Sequence, residues 1–156
     1  MTIAILSLLA FVSGSSFVFP SLGPTAVLFF TSPRSEASKP KNALIGHGIG
    51  ILCGYFGLLV TGLTHTPSVI DGGVTLPRVV AASLALALTG AIMIIARTPH
   101  PPAGATTLII ALGFITQPFS LFIIELAVLL MVGQAMVINR LSGATKSPSQ
   151  LHDSEG

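Results

Sequence analysis

Three stretches of this chain, Asn42 to Gly62, Arg78 to Ala96 and Pro118 to Asn139, each run for about 20 residues with almost no charge. A helix of that length matches a hydrocarbon core of roughly 30 Å. Lipid offers no water to backbone N–H and C=O groups, so such stretches must satisfy themselves as helices. Composition agrees, with 8% charged and 51% hydrophobic residues, where a soluble domain carries about 25% charged. The chain therefore reads as an all-α integral membrane protein whose first partner is the lipid bilayer. A net charge of +2 and the absence of basic runs interleaved with aromatics exclude nucleic acid as a partner. Cys53 is the only cysteine, which rules out an internal disulfide and reads as helix filler. Met1-Thr2-Ile3 lacks a positive n-region and no Ala-x-Ala site follows, so Ile3 onward is expected to be mature structure.

Two breaks interrupt the apolar pattern. In the first, Ile3 to Val12 gives way through Ser13-Gly14-Ser15-Ser16 to Phe17-Val18-Phe19-Pro20, which suits extended backbone. Ser21-Leu22-Gly23-Pro24-Thr25 follows, and Pro24 is expected to open a short helix that Ser32-Pro33 closes near Thr31. In the second, Pro99-His100-Pro101-Pro102 precedes Ala103-Gly104-Ala105-Thr106-Thr107 and a short helix ending near Gly113. Arg34 to Lys41 and Leu63 to Leu76 are polar connections. On the first long segment, Gly46, Gly50 and Gly54 fall four apart, a face that lets another backbone approach and that would suit a subunit contact in a homo-oligomer.

Shifting the chain by 81 positions lays Pro20 on Pro101, Gly23 on Gly104, Thr25 on Thr106 and Leu28 on Ile109. The flanking apolar segments then fall into step. The expected organisation is one transmembrane domain over residues 1–144, with repeats at 1–63 and 82–144, and a polar tail at 145–156. Each repeat holds three segments, the middle one an extended piece plus a short half-helix. The alternative is four transmembrane helices with two re-entrant loops. With six crossings and the N-terminus inside, Arg34, Lys39, Lys41, Arg97, Arg140 and Lys146 are cytoplasmic and Arg78 is outside. Four crossings give hardly any bias, so the positive-inside rule favours six, inverted repeats and cytoplasmic termini.

Paired breaks at membrane depth are the sequence signal of a binding site. The half-helix starts at Gly23, Pro24, Thr25 and Ala26, and at Ala103, Gly104, Ala105, Thr106 and Thr107, are expected to present free N–H groups and positive dipole ends to a small anion. His100 precedes the second start and is placed to contact that anion or carry a proton. His47 lies within a spanning segment, and Glu125 is an acid inside another; both are candidates for coupling or for supporting the site, as is Asn42. His65 and His152 lie in polar connections. No metal-ligand spacing, paired carboxylates, nucleophile elbow or P-loop is present, so neither cofactor, metal nor enzyme activity is expected.

Thr98 to Thr107, Ser21 to Leu28 and Pro40 to His47 together resemble the HPP family of small integral membrane proteins, over most of residues 17–140. The family takes its name from the His-Pro-Pro that stands here at His100, Pro101 and Pro102. The resemblance implies four transmembrane segments as usually counted, a bacterial inner or plasma membrane with cyanobacteria among the candidate sources, and nitrite transport. Ala103 stands where the family commonly has glycine, and Lys41 where it often has arginine, which removes a bidentate contact. The opposed short helices also look like the anion site of sulfate-permease-type carriers. The expected function is transport of a small monovalent inorganic anion, nitrite foremost. The competing class is a non-transporting structural or assembly protein of the membrane.

Overall fold

The computed structural model describes residues 2–14 and 17–143, and the expected polar tail at 145–156 lies outside them. Within them the chain is all helical, in the order α1 (Thr2–Ser13), α2 (Leu22–Thr31), a 3-10 turn (Glu36–Ser38), α3 (Pro40–Thr61), α4 (Val69–Gly72), α5 (Leu76–Ile95), α6 (Ala103–Ala111) and α7 (Pro118–Leu141). Three of these, α3, α5 and α7, are long and apolar enough to cross a membrane, while α1, α2 and α6 are shorter.

Proline and glycine set most of the boundaries. Each long helix carries proline in its first turn, Pro40, Pro77 and Pro118, where the missing N–H costs no intrahelical bond. Gly62 and Gly113 end α3 and α6 with φ of +70° and +85°, a left-handed turn that glycine adopts without a Cβ clash. One boundary differs from expectation. The α2 helix begins at Leu22, two residues before Pro24, because Leu22 N–H already bonds Phe19 C=O at 3.0 Å. Pro24 then sits within the first turn, where its absent N–H is still one of the unpaired four.

Helix α3 is the centre of the fold. It packs against α5 and α6 on one side and touches α7 on another, while α7 carries α1 and α2. The short helices α2 and α6 begin 81 residues apart, at Leu22 and Ala103. Exchanging α1 with α5, α2 with α6 and α3 with α7 maps this packing pattern onto itself. Leu6, Leu22, Phe29, Ile124, Val128 and Met131 form the apolar core between α1, α2 and α7.

The glycine face of α3 is occupied within the chain, which corrects the expectation of a subunit contact there. A Cβ on Gly46 would lie 2.8 Å from His100 Cβ, one on Gly50 2.7 Å from the Ala103 carbonyl oxygen, and one on Gly54 2.9 Å from Ile110 Cβ. Gly57 does the same for α5, 2.8 Å from the Ala81 carbonyl oxygen. Backbone meets backbone along this seam, so it has no room for even a methyl group. Gly50→Ala should lower stability by about 1–3 kcal/mol despite the better helix propensity of alanine. Gly48→Ala, where nothing lies within 4 Å, should leave stability unchanged or raise it. Thermal unfolding of both variants in one detergent checks this; equal melting temperatures would contradict the tight seam.

Candidate functional site

Close approach of α6 to α3 brings the starts of the short helices α2 and α6 and a long helix around one polar cluster. Thr25 comes from α2, His47 from α3, Thr106 from α6, Ser21 from the residue before α2, and His100 from the loop before α6. All five are fully buried. Thr106 Oγ1 lies 2.7 Å from both Ser21 Oγ and His47 Nδ1. His47 Nε2 lies 3.0 Å from Thr25 Oγ1, which donates to the Ser21 carbonyl at 2.8 Å. His100 Nε2 approaches the same Thr25 hydroxyl at 3.4 Å, and its Nδ1 donates to the Ala37 carbonyl at 2.7 Å.

Burying these groups without partners would cost about 1–3 kcal/mol each, and the mutual bonds remove most of that penalty. The two imidazole rings stand 5.0 Å apart, centroid to centroid. Two positive rings at that spacing would repel by about 3 kcal/mol even at an effective dielectric of about 20. The pair therefore holds at most one extra proton.

The expected free amides at the start of α6 are not free. The N–H groups of Ala103, Gly104 and Ala105 donate to the carbonyls of His100, Pro101 and Pro102 at 3.0 to 3.1 Å. Tight turns over the His-Pro-Pro stretch thus use the donors that a helix start would offer an anion. Polar side chains make the site instead.

Of the expected residues, Thr25, His47, His100 and Thr106 come together. Gly23 and Pro24 are exposed on the outer side of α2, and Ala26 packs into the apolar core. Ala103 lies against Gly46 and Gly50, Gly104 faces Leu86, and Ala105 lines a groove with Pro24 and Pro102. Thr107, one residue beyond Thr106 and so about 100° around the helix, bonds Thr89 on α5 at 2.8 Å. Asn42 holds the 3-10 turn through Glu36 C=O at 2.8 Å and does not reach the cluster. Glu125 lies along α7, away from the cluster's hydrogen bonds, with Oε2 buried and unpaired among the described residues. No group of three or more His, Cys, Asp or Glu placed to hold a metal occurs among the described residues.

Ser21 and Arg78 escaped the sequence reading. Ser21 precedes the α2 start and signals nothing by itself. Arg78 reads as the outside cation that opens the second long apolar stretch, yet it is 3% exposed. Its guanidinium donates to the carbonyls of Ala111 at 3.2 Å and Pro67 at 2.7 Å and to Thr66 Oγ1 at 2.8 Å. It thereby sets a positive charge at the negative end of α6.

A cavity of about 660 Å³ borders His100 and is lined by Glu36, Gly90, Met93, Arg97, Pro99 and Pro101 among others. Arg97 closes α5 with φ of +53°, the position that glycine fills after α3 and α6. Its N–H bonds Ile94 C=O at 3.2 Å, and Thr98 N–H bonds Met93 C=O at 3.0 Å. A non-glycine residue there costs about 1 kcal/mol. An exposed cation is held at the mouth of the cavity at that cost.

Two transmembrane proteins of Dictyostelium discoideum are similar to the chain. One is 26% identical over 132 residues, covering 82% of this chain and 43% of the relative. The other is 27% identical over 136 residues, covering 85% and 40%. The chain thus spans less than half the length of these relatives. No solved structure matches. The family profile described as HPP, transmembrane region, matches residues 1–148. With the His-Pro-Pro loop at the centre of its buried polar cluster, this chain belongs to the HPP family of integral membrane proteins.

Proposed function

We propose that this protein transports a small monovalent inorganic anion across the membrane, with nitrite as the leading substrate. The anion binds between the half-helices, in contact with Thr25, His47, His100, Thr106 and Ser21. The buried cluster carries this reading, because polar side chains inside a membrane protein mark substrate paths far more often than lipid contacts. Hydroxyl and imidazole donors suit an anion with one dispersed charge, which needs hydrogen bonds more than a full countercharge. The cluster lies about 10 Å along α3 from its start at Pro40, at a rise of 1.5 Å per residue. In the arrangement seen, the cluster satisfies itself, so a substrate must replace those contacts with its own. Arg97 at the cavity mouth draws anions toward His100.

The packing pattern that maps onto itself, together with starts 81 residues apart, supports two repeats. The charge bias makes them inverted, with six crossings and cytoplasmic termini. Cysteines placed singly in residues 64–76 should then react with impermeant reagents from outside. Labelling from the cytoplasm alone would overturn the six-crossing topology.

A structural membrane protein is the competing reading, favoured by the cluster's internal satisfaction. Proteoliposome uptake of 15N-nitrite separates the two. The folded protein should carry nitrite above protein-free vesicles, and Thr106→Val should cut the rate at least about tenfold by leaving His47 and Ser21 unpaired. Uptake no faster than protein-free vesicles by well-folded protein would remove the transport reading.

A further inference from the structure

The bonds of the buried cluster all run one way. The Ala37 carbonyl can only accept, so His100 Nδ1, 2.7 Å away, carries a hydrogen. In the neutral ring, Nε2 is then a bare acceptor facing Thr25 Oγ1 at 3.4 Å. Thr25 has one hydroxyl hydrogen, and the Ser21 carbonyl takes it at 2.8 Å. The Thr25 oxygen therefore accepts from His47 Nε2 at 3.0 Å, which fixes the ring hydrogen of His47 on that nitrogen. His47 Nδ1 is left to accept from Thr106 at 2.7 Å, and Thr106 to accept from Ser21 at 2.7 Å. Donors point from Ser21 through Thr106 and His47 to Thr25, whose own hydrogen goes to the Ser21 carbonyl instead of to His100. The single open step is the 3.4 Å gap, which closes when the Thr25 hydroxyl turns from the Ser21 carbonyl to His100.

We propose that these five side chains form a proton relay that couples anion transport to proton movement, with His100 as its terminal acceptor beside the cavity. Its coupling role rests on the transport reading above. In the anion-free state, when the cluster's own bonds are intact, a proton delivered to Ser21 Oγ releases that hydroxyl's own hydrogen to Thr106, whose hydrogen passes to His47 Nδ1. His47 gives up its Nε2 hydrogen to Thr25, and the Thr25 hydrogen passes to His100 Nε2. His100 is then an imidazolium, with Nδ1–H still on Ala37. It returns to neutral by giving up the Nε2 hydrogen to water or an anion that enters from the cavity, while Nδ1–H stays on Ala37. One proton enters, one leaves, and no electron moves.

The pass leaves His47 with its hydrogen on Nδ1 and the hydroxyls reversed. The chain must turn over before it accepts another proton, so it passes protons one at a time. Facing its His100 end are Glu36 and Arg97 on the cavity wall and His47 across the cluster. Lys39 pairs with Glu36 at 2.7 Å, and α2 contributes no ionisable side chain.

Thr25 is the test, because it is the switching link. Full-length protein in proteoliposomes is given a nitrite gradient while a pH-sensitive dye reports protons, with protein-free vesicles subtracted. Wild type and Thr25→Ser, which keeps the hydroxyl, should move protons together with nitrite. Thr25→Ala should lower the ratio of protons to nitrite at least about tenfold. An unchanged ratio in Thr25→Ala, or nitrite uptake by wild type without protons, would overturn the relay. If wild type carries no nitrite, the transport reading fails by itself; in that case, or where Thr25→Ala alone carries none, proton flux under an imposed potassium diffusion potential decides the relay. Flux that depends on the Thr25 hydroxyl supports it, and absence of flux overturns it.

Discussion

The seam between α3 and α6 sets the geometry of everything polar in this protein. Gly46, Gly50 and Gly54 let the α6 backbone approach to where a single Cβ would collide with the Ala103 carbonyl oxygen. In lipid the hydrophobic effect does not drive helices together, so close packing and interhelical hydrogen bonds must do it. The seam supplies both. At the closeness it permits, Thr106 reaches His47 at 2.7 Å, and the His-Pro-Pro loop folds back far enough for His100 to stand 5.0 Å from His47. A wider seam would leave both histidines facing an apolar gap without partners.

The cluster joins two halves that also meet where α3 packs on α7. Helix α3 with α5 and α6 forms one group, and α7 with α1 and α2 forms the other. Ser21 and Thr25 reach from the second group to Thr106 and His47 in the first. Polar contacts across such a boundary can be exchanged for contacts to a substrate more readily than apolar packing can be rebuilt. The His100 to Ala37 bond ties the 3-10 turn after α2 to the same cluster.

Much of the architecture was legible because proline and glycine act locally. Gly62, Pro118 and Gly113 marked helix ends from their own backbone chemistry, and both expected short-helix starts fall within two residues of the observed ones. Contacts between side chains were not legible, since they depend on rotation about each helix axis. Thr106 and Thr107 are neighbours in sequence, yet one enters the cluster and the other bonds Thr89. Ser21 has no local signature of its role. The expectation of free amides at the start of α6 failed for a related reason. Pro101 and Pro102 direct the chain into tight turns whose carbonyls take those amides before any ligand can.

Binding at the histidine pair is the central claim, and histidine resonances report it directly. Selective 15N labelling of the four histidines in lipid bilayers, followed as nitrite is added, should move the signals of His47 and His100 saturably. His65, exposed in the connection between α3 and α5, should not move. Signals from His47 and His100 that stay fixed while nitrite rises well beyond the concentration that supports uptake would contradict the claim.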